Sequence, residues 1–220
     1  MMFVGKLILN DVNKRKTNNM TCIAGLVDGK NVWLAGDRAA TGGGLNRILI
    51  KNPKIFEKSN IGFGVCGLPK VMDAVQHALD IPSHESGLSA KAYLVKDLVP
   101  ALRECLLKYD CCIEHNGNQY FQGAMLLAYQ GELFELEGNF QLIEHANGFC
   151  AVGSGGEPAL GSLRSTRGIA SARKRLKMAM ETSAENNAGV APPFDYLLIK
   201  GTLHDLCSRS DPRKQCLAGR

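Results

Sequence analysis

Long apolar runs are missing from this 220-residue chain. A helix needs about 20 mostly apolar residues to cross a bilayer, and no stretch reaches that, so no membrane partner is expected. A secretory signal is missing too. Residues 2–9 are apolar but broken by Gly5 and Lys6, the basic cluster Lys14-Arg15-Lys16 comes after them, and no small-residue cleavage site follows. The eight cysteines (22, 66, 105, 111, 112, 150, 207 and 216) include no C-x-x-C pair, which argues against a zinc ribbon or a dithiol redox motif. Cys111-Cys112 with His115 could in principle hold a metal, but on spacing alone free thiols near a helix end fit better. Cys22, Cys66 and Cys105 stand in apolar contexts and read as small core residues. Such cysteine usage suits a reducing compartment, and a cytoplasmic location is expected.

A one-sided charge is also lacking where it would matter. Of the net +5, residues 1–20 carry +3 and residues 201–220 carry +2, which leaves 21–200 neutral. A neutral body with basic ends gives little support for a nucleic-acid surface. The glycine-rich stretches at 42–44 and 153–156 lack the G-K-[ST] that a phosphate loop requires. Arg173-Lys174-Arg175 falls in an expected helix and reads as its solvated face.

What is present is a chain of ordinary globular composition, 45% apolar and 21% charged, long enough for one domain with a sizeable core. The expected organisation is a leader over 1–20, a domain over 21–200 and a basic tail over 201–220. Two apolar runs, 21–27 and 31–35, flank Asp28-Gly29 and predict a hairpin. Short strands are expected at 48–50, 54–56 and 61–66. Pro69 opens a helix with Val71, Met72, Val75, Ala78 and Leu79 on one stripe. A second helix is expected over 89–109, kinked or divided by Pro100. Strands follow at 120–129, 132–136, 140–144 and 149–152, then helices from 157 and over 169–182, and a last strand at 194–199. Paired helices between groups of strands argue against a βαβ parallel sheet and suit two packed sheets with helices on both outer faces.

The chemistry gathers around Thr21. A threonine inside a chain is a poor nucleophile. Placed first, it has its own amine, with a pKa of about 7.7–8.0, to take the hydroxyl proton. Met20 before Thr21 has the form of a translation start whose Met removal would expose Thr21; taken alone, the pair fits an ordinary strand residue far better, and the later motifs reverse that order. Asp37 ends the second strand of the hairpin, where an antiparallel partner lies near Thr21, and Lys54 could reach the same corner. An ammonium there lowers the pKa of a nearby hydroxyl or amine, and a carboxylate holds it in place. The plainer alternatives are a turn aspartate and a solvated lysine. Cys66-Gly67 ends a strand before a helix, where a backbone N–H could meet an oxyanion; a simple strand-to-helix turn explains it as well.

The ordered set T-C-I-A-G-L, V-W-L-A-G-D-R-A-A-T, K-I-F, G-F-G-V-C-G and A-V-G-S-G-G resembles the N-terminal-nucleophile (Ntn) hydrolases of the proteasome β-subunit and HslV peptidase superfamily, from Thr21 to about Ile199. V-P-A-L-R-E-C-L at 99–106 and A-G-V-A-P-P-F at 188–194 look most like a group from phages and bacteria. The resemblance implies an α+β fold, a four-layer αββα sandwich of two antiparallel sheets. It implies Thr21 as nucleophile with its amine as general base, Asp37 and Lys54 as the charged pair, Gly67 as the oxyanion amide, and Ser154 bonded around the threonine amine. It further implies hydrolysis of amide bonds in peptides or unfolded protein, a homo-oligomeric ring, an ATPase ring as a partner if the HslV likeness extends that far, and no metal or organic cofactor. Two other readings are a catalytically silent scaffold or binding subunit, with Thr21 internal, and an amidase for small-molecule amides. The chain departs from the family pattern in four places. Ala39 stands where Arg or Gln is common, and 183–187 replaces an expected Asp and Ser. The 42–53 loop is one residue longer than in the HslV type. The Met20-Thr21 junction suits Met removal rather than autolysis.

Overall fold

The computed structural model describes residues 20–42 and 46–201; residues 1–19 of the expected leader, residues 43–45, and residues 202–220 of the expected tail, with Cys207 and Cys216, lie outside the described residues. In chain order the elements are β1 (Ile23–Asp28), β2 (Asn31–Asp37), β3 (Ala39–Gly42), β4 (Asn46–Leu49), β5 (Ile55–Lys58), β6 (Ile61–Gly67), α1 (Pro69–His77), α2 (Ala90–Tyr93), a π-helical stretch (Leu94–Leu98) and α3 (Val99–Lys108). Then come β7 (Cys112–His115), β8 (Asn118–Phe121), β9 (Gly123–Tyr129), β10 (Glu132–Glu137), β11 (Leu142–Glu144), β12 (Phe149–Val152), α4 (Gly156–Ser165), α5 (Ala172–Asn186) and β13 (Phe194–Ile199).

One sheet has the order β12-β1-β2-β13 and the other β11-β10-β9-β6-β5, all neighbours antiparallel. Side chains alternate across a strand, so a strand buried on both faces serves two cores. In β2, Val32 and Leu34 point between the sheets while Trp33 and Ala35 face helices α4 and α5. In β9, Leu126 and Ala128 point between the sheets while Met125 and Leu127 face the α1–α3 layer. Three apolar cores therefore separate four layers: helices α1–α3, the five-stranded sheet, the four-stranded sheet, and helices α4–α5. This is the αββα sandwich that the order of elements implied.

Local differences from the sequence reading have local causes. Pro100 has no N–H to give and its ring crowds the preceding turn. The chain accommodates it with the π-helical stretch just upstream, where Val99 N–H reaches back to Leu94 O. The strand expected over 120–129 is two strands, broken at Gln122 before Gly123 at φ 149°. Cys112–His115 forms β7, a strand outside those expected, just after the end of α3. It pairs with β8 through Asn116 and Gly117 at φ 51° and 76°, the doubly positive turn that fits a two-residue hairpin. Among the described residues no helix is long and apolar enough to cross a membrane.

Candidate active site

The first hairpin sets the geometry. Its register pairs Ile23 with Gly36, so Cys22 lies opposite Asp37. The Asp37 N–H donates to Cys22 O at 3.3 Å, and its side chain turns back to accept from Cys22 N–H at 3.0 Å and Ala39 N–H at 2.9 Å. Thr21 is the next residue outward. Lys54 precedes β5, and its carbonyl is fixed by Val65 N–H at 2.9 Å, which aims the side chain at the end of β1.

Lys54 is neither solvated nor remote. It is 6% exposed, Asp37 0% and Thr21 4%. Its Nζ donates to Thr21 Oγ1 at 2.9 Å, Asp37 Oδ1 at 3.0 Å and Ala39 O at 2.5 Å. Three acceptors match the three N–H bonds of an ammonium, and an ammonium has no lone pair. Lys54 therefore supplies positive charge at Thr21 Oγ1 and leaves no lone pair to accept its proton. Burial pushes the Asp37 carboxyl above its ordinary value, while Lys54 and the two backbone N–H donors pull it back.

The Gly153-Ser154-Gly155-Gly156 stretch wraps the backbone of Thr21. Thr21 N–H donates to Ser154 Oγ at 3.3 Å, and Thr21 O accepts from Gly155 N–H at 3.1 Å. All three polar atoms of Thr21 are thus held. Gly153 sits at φ 94°, and a Cβ there would run into the Thr21 carbonyl, which is why this loop needs glycine. Gly67, at φ 132°, has no room for a side chain because a Cβ would meet the backbone of Gln122 and Gly123. The close approach it permits is thus between chain segments. Gly67 nevertheless lines the same pocket as Thr21 and Lys54.

That pocket is mostly apolar, with Ala40, Ile50, Val65 and Met72 on its walls. Met20 also lines it, and a Cβ on Gly189 would strike the Met20 side chain. Cys22 does not compete with Thr21 as a nucleophile. It is fully buried on the α4–α5 side, its Sγ contacts Gly155 O at 3.4 Å, and burial pushes its thiol up to about 12.

The structure therefore brings Thr21, Asp37, Lys54, Gly67 and Ser154 to one corner. It also adds groups that the sequence did not reveal. Ala39 takes part through its backbone alone, so its methyl side chain removes nothing from this polar set. Within 183–187, Ser183 Oγ donates to Gly155 O at 2.9 Å and Asn187 Nδ2 donates to Ser154 O at 2.9 Å. Both brace the loop that holds Thr21. Arg38 makes a two-pronged pair with Asp195 at 2.7 Å for each contact, tying the exit of β2 to β13.

Two antiparallel sheets packed between two helical layers make the fold of the proteasome-type N-terminal-nucleophile hydrolases. Solved structures with this arrangement superpose over most of the chain. They include the Thiobacillus denitrificans bacterial proteasome homologue BPH in complex with epoxomicin, with a TM-score of 0.69 and 15% identity, over 83% of this chain and 100% of that one. Eukaryotic HslV from Trypanosoma brucei has a TM-score of 0.59 and 17% identity, over 82% and 99%. A Gly-1 mutant of Anbu from Hyphomicrobium sp. strain MC1 has a TM-score of 0.57 and 13% identity, over 82% and 81%. No family model and no curated protein matches the sequence.

Proposed function

We propose that this chain is a threonine N-terminal-nucleophile hydrolase of amide bonds, acting on peptides or unfolded protein once Thr21 has become the first residue. The observation that carries the reading is the Lys54 ammonium at 2.9 Å from Thr21 Oγ1, anchored by Asp37 and Ala39. In this reading the Thr21 amine takes the hydroxyl proton while Oγ1 attacks the carbonyl carbon. The nearby positive charge stabilises the oxygen as the proton leaves. The Gly67 N–H meets the oxyanion, and Ser154 Oγ holds the Thr21 nitrogen. The amine returns its proton to the leaving nitrogen, and water then attacks the acyl-enzyme and frees Thr21.

As long as Met20 is attached, the Thr21 nitrogen is a peptide nitrogen, whose lone pair is delocalised into the carbonyl and accepts no proton. The apolar pocket suits an apolar side chain next to the cleaved bond. A homo-oligomeric ring and an ATPase ring partner belong to the same proposal and rest on the resemblance, and a cytoplasmic setting joins them on the cysteine usage. The scaffold reading draws its support from Met20, whose side chain occupies the pocket wall beside Gly189.

The test compares chains beginning at Thr21 with the same chains carrying Thr21→Ala, using a peptide library set beside small-molecule amides. Covalent capture by epoxomicin with the mass added at Thr21, together with peptide turnover, supports the proposal. Turnover confined to small amides corrects the substrate class. Silence on both, in a protein shown to begin at Thr21, overturns it in favour of the scaffold.

A further inference from the structure

A second polar cluster lies away from Thr21, at an edge of the sandwich. Glu135 of β10 shares the strand face of Leu133, which packs in the core between the sheets. A carboxylate on that face is costly unless something there compensates it. His145, just after β11, places Nε2 at 2.7 Å from Glu135 Oε2. Cys150 of β12, on the opposite sheet, places Sγ at 3.2 Å from the same Oε2 and at 3.2 Å from the same Nε2.

The way these atoms meet discriminates between chemistries. In a cysteine–histidine–carboxylate catalytic arrangement the two imidazole nitrogens divide the work, one to the acid and the other to the nucleophile. Here a single nitrogen, Nε2, faces both the sulfur and the carboxylate. Cys150 is also only 1% exposed, which leaves a substrate no approach to its sulfur. Three donor atoms of three kinds converge on one point, as metal ligands do. Around a tetrahedral Zn2+, with bonds of about 2.0–2.3 Å, ligand atoms lie roughly 3.3–3.7 Å apart. The observed separations of 2.7 to 3.2 Å need only a small opening.

We propose that Glu135, His145 and Cys150 form a binding site for a divalent transition metal, Zn2+ foremost, that clamps the two sheets together at this edge. A thiolate, an imidazole and a carboxylate favour Zn2+ over Mg2+ or Ca2+, which prefer oxygen alone. On binding, Cys150 loses its thiol proton to solvent as the Zn–S bond forms, and His145 coordinates through the Nε2 lone pair with its proton on Nδ1. The outer side is open, since the His145 and Glu135 side chains are 34% and 19% exposed, and water completes the four ligands. Cys150 stands four residues before Ser154 on the segment that leads into the Thr21 loop, so the clamp steadies that segment.

The test uses the full chain, stripped of metal by chelator and titrated with Zn2+ and with Co2+. The expected result is one equivalent bound. Co2+ should give a thiolate-to-metal absorption band and the intense visible bands of a tetrahedral site, and Zn2+ should raise the melting temperature. X-ray absorption of the zinc form should show one sulfur among otherwise nitrogen and oxygen neighbours. Cys150→Ser and His145→Gln should each weaken binding by at least about tenfold, and the double variant should abolish it, whereas Cys112→Ser should leave it unchanged. No uptake by the wild-type chain, two or more sulfurs on the metal, or binding that persists in the double variant would overturn the proposal.

Discussion

The Thr21 corner and the Glu135 corner are both small polar clusters set into an apolar sandwich, and they are closed in different ways. At Thr21 the chain supplies its own cation. Lys54 satisfies a carboxylate, a carbonyl and a hydroxyl at once, and every donor on its nitrogen is used. At Glu135 a carboxylate oxygen, an imidazole nitrogen and a sulfur converge. The first corner is complete without a ligand and is built to hold one hydroxyl in place. The second gathers the three side chains to which the proposed metal would bind. A buried carboxylate thus marks a charge that must be balanced, and what balances it shows what the place is for.

The largest expected effect breaks the first corner at the proposed nucleophile. In protein that begins at Thr21, Thr21→Ala should abolish peptide turnover, a fall of at least about a thousandfold in kcat/KM. Next, Lys54→Met removes the cation and strands Asp37 in the interior. Breaking a buried pair from one side costs about 3–5 kcal/mol, which for a chain of this size lowers Tm by roughly 10 °C, and turnover should be lost with it. The contrasting substitution at the other corner sharpens the comparison. Glu135→Gln in metal-free protein alters a partly exposed carboxylate paired with a histidine rather than with a buried lysine, so its Tm should move by no more than about 2 °C. An equal fall in the two variants would show that the corners are not different in kind.

Smaller effects follow. Ser154→Ala removes one neutral hydrogen bond of about 0.5–1.5 kcal/mol, so kcat should fall roughly three- to tenfold with the fold intact. The thiols beside the site give a pH prediction. Burial pushes Cys22 up to about 12 and Cys66 up to about 11, from 9.0. In the unfolded chain these thiols ionise first, so the stability they contribute is complete below pH 9.0 and is lost as pH climbs toward 11 to 12. At pH 8 peptide mapping should find both unalkylated in native protein, with the partly exposed Cys112 modified before them. Rapid alkylation of Cys22 would reopen the choice of nucleophile.

Much of the first corner could be read from the sequence because a hairpin register is local. The turn falls at Gly29-Lys30, one residue past the Asp28-Gly29 signal, and with Asp28 opposite Asn31 the matched arms place residue 22 opposite residue 37. The burial of Lys54 was not legible in that way, since its three acceptors come from β1's leading end, β2's end and the residue that opens β3. Asn187 and Ser183 act on the Thr21 loop only after α5 has packed against the sheet, so the stretch 183–187 reads as unplaced polar residues until then. The Glu135 cluster was less legible still. Its members stand 10 and 5 residues apart with no metal-motif spacing, and they meet only when the two sheets close. The β7–β8 hairpin is a different case: Asn116-Gly117 is a strong turn signal in the sequence itself.

The central claim is that the Thr21 amine is the base, and it is tested most directly by the N-terminus and the activity measured together. Protein expressed from Met20 and protein expressed from Met1 would each be weighed intact, sequenced at the N-terminus and assayed for peptide hydrolysis. The account predicts turnover only in molecules that begin at Thr21, in proportion to their fraction. Equal turnover by protein whose Met20–Thr21 bond is shown to be intact would contradict it.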